Sequence, residues 1–301
     1  MKAHGHSMNA ISRLDGLARA HAEWTPWLRV VREVLPELSN PTWEESPSRK
    51  SAAPHHAPLL FGAALRPDRR AVVQLLDRLA SVARAQGLHA LAGDENSRQA
   101  TSEKDAMTVF LAAVNNDHAP MDRLGLQRGA SRDGWRTLVQ LLPMPYLHAC
   151  AREWAALDAG NWTQGYCPVC GAWPAFAEVR GIQRARHLRC GRCGAAWAMP
   201  ALACTYCAET DHEALGTLVA DEKMPRFSVD VCRSCSGYLK SCTTLQAWPS
   251  GEVVVTDLAS VDFDIAAVER GYLRPPELGM ALHASLDVDE DPAPTAPPWW
   301  S

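Results

Sequence analysis

Apolar positions recur at helical spacing through the first half of the chain. The clearest stripe lies within residues 67–87, where Val72, Leu75, Leu76, Leu79, Val82 and Ala83 follow i, i+3, i+4, i+7 while Arg69, Arg70, Asp77 and Arg84 fall off it. Pro67 suits the first turn of that helix and Gly87 the position just past its end. A second helix is predicted over 103–114, capped by Ser102 and burying Met107, Phe110, Leu111 and Val114. Trp135–Leu142 has the same period until Pro143 and Pro145 interrupt it, and Tyr146–Leu157 resumes it. Weaker amphipathic stretches run from Ile11 to Ala22 and from Trp27 to Leu38.

Between Ser39 and Pro58 the pattern dissolves into Pro, Ser and His, which predicts an exposed connection. From Asp287 the chain turns acidic and then proline-rich, which predicts a tail. The 301 residues are 47% hydrophobic and 21% charged, enough for two domains with cores and too apolar for general disorder. A net charge of −4 gives no overall pull towards nucleic acid or anionic membranes. No apolar run approaches the ~18 residues of a membrane span, and no secretory signal pattern opens the sequence, so a cytoplasmic location is expected.

The ten cysteines change this picture. None precedes Cys150, and nine lie between Cys167 and Cys242. A reducing compartment argues against disulfides and for metal or thiol chemistry. Eight cysteines form four C-x-x-C pairs, Cys167/Cys170, Cys190/Cys193, Cys204/Cys207 and Cys232/Cys235, separated by 19, 10 and 24 residues. Each pair can turn two thiolates to one side of a tight loop, forming half of a tetrahedral S4 site. Gly171 and Gly194 follow two of the pairs, where such a turn favours a residue tolerant of positive φ. Loop closure favours joining the first pair to the second and the third to the fourth, although a cross-brace also satisfies the spacing. Thiolate S4 accepts iron or zinc.

The same region resembles the formate dehydrogenase accessory protein family, FdhE, over about Gly165 to Arg274. The landmarks are Cys167-Pro168-Val169-Cys170-Gly171, Arg186-His187-Leu188-x-Cys190-x-x-Cys193 and Trp197, then the third and fourth pairs running into Gly237-Tyr238-Leu239-Lys240. Asp257-Leu258-Ala259-Ser260, Phe263-Asp264 and Gly271-Tyr272-x-Arg274 complete the order. Two departures stand out: the family tends to place an arginine about four residues after the tryptophan, where Ala201 stands, and leucine where Phe263 stands.

The resemblance implies an α+β chain: an all-α N-terminal domain over residues 1–160, followed by two tandem rubredoxin-like (zinc-ribbon-like) modules over 161–202 and 203–275, and a tail over 276–301. It implies a cytoplasmic, non-enzymatic maturation factor that binds the catalytic subunit of formate dehydrogenase. It also implies eight cysteine ligands for two iron ions, with zinc as the alternative metal. Arg184, Arg186, Arg189, Tyr238 and Lys240 are the candidate partner contacts.

Two other readings compete. Arg180, Arg184, Arg186, Arg189 and Arg192 form an acid-free cluster that suits a zinc-ribbon nucleic-acid binder, or simply offsets thiolate charge. Yet residues 167–242 carry nine Lys/Arg against seven Asp/Glu, too small an excess for a duplex track. A dithiol redox protein is the third reading, without the βαβ context it would need. Cys150 and Cys242 read as buried bystanders, and Trp135 and Trp154 as core anchors. Catalytic signatures such as G-x-S-x-G, Walker A and H-E-x-x-H are absent from the sequence.

Overall fold

The computed structural model describes residues 2–44, 47, 54, 56–93, 101–156, 162–219 and 226–287, the side chains from residue 9 onward except those of residues 156 and 219. The described helical half contains α1 (Lys2–Ala20), α2 (Thr25–Val34), a two-residue strand β1 (Ala64–Leu65), α3 (Arg69–Ala85), the short α4 (His89–Ala92), α5 (Glu103–Asn115), α6 (His118–Gln127), α7 (Arg132–Val139) and α8 (Met144–Ala156). The predicted stripes become its core. Val72, Leu75, Leu76, Leu79 and Ala83 of α3 are buried, as are Met107, Phe110 and Val114 of α5, while Leu111 is half-buried. Ser102 caps α5 by accepting from the Asp105 amide. At α3 the cap is Asp68, so Pro67 lies ahead of the helix rather than in its first turn. Pro143 and Pro145 fall at the start of α8, where proline is tolerated.

The expected exposed connection is only partly exposed. Trp43 is 1% exposed, and its indole donates to Glu37. Burial would raise the Glu37 carboxyl, but hydrogen bonds from Trp43, Arg78 and Asn40 outweigh it and hold the group below the ordinary value.

The two tandem cysteine modules are joined in one sheet. Its strands are β2 (Pro174–Arg180), β3 (Ala185–Cys190), β4 (Ala196–Ala198), β5 (Leu215–Val219), β6 (Phe227–Cys232) and β7 (Gly237–Thr244), in the order β4-β3-β2-β7-β6-β5. Each half is an antiparallel meander, and the halves join through the parallel β2–β7 pair, registered from Phe176↔Lys240 to Arg180↔Thr244. Two short helices, α9 (Glu252–Ala259) and α10 (Val261–Val268), then pack on this sheet.

Residues 276–287, grouped with the tail in the sequence reading, return to the helical half. The strand β8 (Ser285–Leu286) runs parallel to β1, Leu282 is fully buried, and Asn115 exchanges two hydrogen bonds with the Ala284 backbone. The acidic and proline-rich stretch beyond residue 287 lies outside the described residues, as do residues 157–161 at the predicted domain boundary.

Candidate metal centres

The four C-x-x-C turns meet in sequential pairs. Cys167, Cys170, Cys190 and Cys193 form one cluster and Cys204, Cys207, Cys232 and Cys235 a second, each with its four sulfurs within 4.8 Å of one another. Opposing sulfurs approach to 3.4 and 3.5 Å in the first cluster and to 3.7 Å in the second. A tetrahedron with metal–sulfur bonds of ~2.3 Å has sulfur–sulfur edges of ~3.8 Å, so both clusters have the dimensions of an S4 site. The cross-brace does not form.

Local backbone chemistry produces these turns. In the first three pairs an amide inside the turn points at the first sulfur, from Val169, Arg192 and Tyr206, each at 3.4 Å. The residue after each pair takes positive φ: Gly171 at 67° and Gly194 at 70°, as the glycines predict. In the second cluster the same positions hold Ala208 at 59° and Ser236 at 53°, where a Cβ makes the conformation costly.

The surroundings of the two clusters differ. All four sulfur-bearing residues of the first are 0% exposed and belong to the main core. Leu59 and Leu60 amides donate to the Pro168 and Val169 carbonyls, and Met280 donates to Gly171. Arg192 reaches across to the Ala113 and Val114 carbonyls near the end of α5, where a cation is favoured. In the second cluster Cys207 and Cys235 are exposed, and its module has a separate small core of Val229, Val231, Tyr238 and Ala267.

Four buried thiols cannot ionise independently. Hydrogen bonds from Cys167, Cys190 and Cys193 pull Cys170 well down, while burial pushes Cys167 and Cys193 well up. A divalent cation would remove that conflict by stabilising every thiolate at once. Cys150 and Cys242 stand apart, both buried, their thiols pushed up by burial to about 12 and about 11. His212 is exposed and His187 is half-buried, and neither belongs to a cluster.

The arginines largely turn inward. Arg189 is 2% exposed and pairs with fully buried Glu178, which also holds Arg180. Arg186 is buried and donates to the Pro200 and Ala203 carbonyls and to Thr205 Oγ1, tying the two clusters' loops together. Among the five arginines of the cluster only Arg184, at the β2–β3 turn, is exposed. The patch needed for nucleic-acid binding is therefore mostly internal.

Tyr238 and Lys240 are buried as well. Lys240 Nζ lies 2.7 Å from both Asp257 and Asp264, Arg274 pairs with Asp264 at 2.7 Å, and the Tyr238 hydroxyl donates to Asp264. The landmarks Tyr238, Lys240, Asp257, Asp264 and Arg274, scattered in sequence, thus form one ion-pair network that fastens α9, α10 and the Arg274 segment to β7. Of the five expected partner contacts, Arg184 alone presents an exposed side chain; the other four serve internal packing. Sequence reasoning missed Glu178, whose signal was a lone acid facing the arginine-rich strand.

Comparison with known proteins agrees with these features. Residues 202–278 match the family model for the FdhE C-terminal domain. A "Protein FdhE homolog" of Aquifex aeolicus is 27% identical over 154 residues, covering 50% of this chain and 53% of that protein. "Protein FdhE" of Escherichia coli O127:H6 is 28% identical over 188 residues, covering 62% and 57%. A Haemophilus influenzae homologue is 33% identical over 111 residues, 36% of each chain. The matches thus span roughly a third to somewhat over half of these relatives' lengths. The crystal structure of the FdhE protein from Pseudomonas aeruginosa shares the fold, with a TM-score of 0.60 at 22% identity over 92% of this chain and 96% of that one. The resemblance to the FdhE family is borne out.

Proposed function

We propose that this chain is a non-enzymatic maturation factor for a formate dehydrogenase, acting in the cytoplasm and binding the catalytic subunit through its metal-module half. The observation that carries the reading is the pair of S4 clusters built into a region of FdhE type. The fold family makes iron the first candidate for both clusters and zinc the second. Iron in such a site supplies a one-electron couple and zinc a redox-silent brace.

The distribution of apolar surface supports a partner on this half. Among the described residues, Ile182, Leu202, Leu245, Ile265, Val268 and Leu273 are large apolar side chains left exposed there, against Leu126 in the helical half. No helix among the described residues is long and apolar enough to cross a membrane.

Tagged chain purified without oxygen should carry two equivalents of metal and bring down a formate dehydrogenase catalytic subunit. A Cys204→Ser/Cys207→Ser variant should lose that subunit. Absence of any dehydrogenase from the wild-type preparation would overturn the reading. Zinc without thiolate-to-iron absorption would remove a redox role.

A further inference from the structure

The two clusters have the same ligands and different settings, and that difference assigns them different work. We propose that the second cluster is an exchange site, which releases and takes up its metal against an external thiolate or chelator while the protein stays folded. The first cluster is a closed site whose metal leaves only when the helical half opens. This rests on the reading that both clusters hold a metal.

Three independent observations carry it. The first is access. Ligand exchange at a tetrahedral thiolate site proceeds by attack of an incoming donor, which must reach the metal. In the first cluster Cys167, Cys170, Cys190 and Cys193 are all 0% exposed, so no direction of approach is open. In the second, Cys207 and Cys235 both face solvent. A cavity of about 180 Å3, lined in part by Cys204, Cys232, Tyr206 and Leu202, opens on the buried pair of the same cluster, so this cluster is approached both there and at its exposed pair.

The second observation is what clamps the turns. Both turns of the first cluster are held by the helical half and its returning segment. A Cβ added at Gly171 would sit 2.4 Å from the Met280 carbonyl oxygen, and one at Gly194 2.5 Å from Ser250 and 2.7 Å from His148. Neither turn can swing outward without unpacking those neighbours. The outer turns of the second cluster are tied by Ser234 to Glu209, by Arg233 to the Glu213 carbonyl and by the Leu273 amide to the Ser236 carbonyl, all between exposed or half-buried residues.

The third is backbone strain. Positive φ falls on glycine in both turns of the first cluster and on Ala208 and Ser236 in the second. Holding the turns of the second cluster therefore costs more than holding those of the first.

The exchange step needs no oxidant. The donor atom of the incoming ligand bonds to the metal, the bond to Cys207 or Cys235 breaks, and the freed thiolate takes a proton from water. Repetition at the remaining sulfurs transfers the metal with its oxidation state unchanged.

The test uses the full chain loaded with two equivalents of zinc, challenged with 4-(2-pyridylazo)resorcinol, whose zinc complex is coloured. Release should occur in two phases of one equivalent each, separated by at least about tenfold in rate. Ala208→Gly, which relieves the strained turn, should slow the fast phase roughly three- to tenfold and leave the slow phase alone. On unmodified protein, a limiting pulse of iodoacetamide followed by peptide mass spectrometry should label Cys207 and Cys235 ahead of the four cysteines of the first cluster. A single phase releasing both equivalents together, or labelling led by Cys167 or Cys190, would overturn the proposal. Failure to load two equivalents would instead remove the metal reading beneath it.

Discussion

His148 offers the sharpest numerical test. It lies in α8, 1% exposed, with its ring against Gly194 beside the first cluster, and neither ring nitrogen has a hydrogen-bond partner. Burial, reinforced by the charges of Arg152 and Arg189, drives its pKa down to about 3. In the unfolded chain the same group titrates near ~6.5. Below that value the unfolded state takes up a proton the folded state refuses, so stability falls as pH falls, by ~1.4 kcal/mol per pH unit. Between pH 7.5 and 5.5 the imidazole should therefore cost the fold about 1.4 kcal/mol. His148→Leu removes the proton site and two unpartnered buried nitrogens, whose burial costs ~1–3 kcal/mol, against ~1 kcal/mol for altered shape. The variant should match or exceed wild-type stability at pH 7.5 and gain about 1.4 kcal/mol on it by pH 5.5. Urea unfolding of both metal-loaded proteins at the two pH values gives this double difference directly and cancels acid effects on the thiolates. Parallel pH profiles would refute the reasoning, because His148 would then be able to charge inside the fold.

Lys240→Met should destabilise by about 3 kcal/mol in urea unfolding, since it leaves Asp257 and Asp264 facing each other without their buried cation. A loss under ~1 kcal/mol would mean that Arg274 alone satisfies both acids. Gly171→Ala, with positive φ and a backbone oxygen in the way, should lower stability by about 2–3 kcal/mol. Metal content should then fall at the first cluster while the second keeps its equivalent. Arg184→Ala should change stability by less than ~0.5 kcal/mol and weaken capture of the dehydrogenase subunit in a salt-dependent way, read by pull-down at two ionic strengths.

The sequence made local features legible where a single residue type decides the outcome. Ser102 capping α5, the α3 stripe, and glycine after Cys170 and Cys193 are such cases, because cap geometry, helical period and positive φ are short-range properties. The grouping of cysteines followed from loop closure for the same reason. What stayed hidden depends on pairings far apart in the chain. Arg186 and Arg189 looked like surface charge because nothing local announces Glu178 or the Pro200 and Ala203 carbonyls as their partners. The β2–β7 pair that merges the modules joins residues 64 apart, as at Phe176↔Lys240, and leaves no periodic signature. Trp43 sits in a polar stretch whose composition says loop, yet one indole with a carboxylate partner suffices to bury it.

The pairing of β1 with β8 sets a schedule for biosynthesis. Ala64 and Leu65 meet their partners only after Ser285 and Leu286 have been made, 221 residues later. Leu60 and the first-cluster turn it holds share the same returning segment, through Leu282 and Met280. While the chain is growing, the helical half thus stays open along the seam that will cover the first cluster. Once the returning strand docks, that seam closes, so the last-made residues of the described fold complete the cover over a turn formed more than a hundred residues earlier.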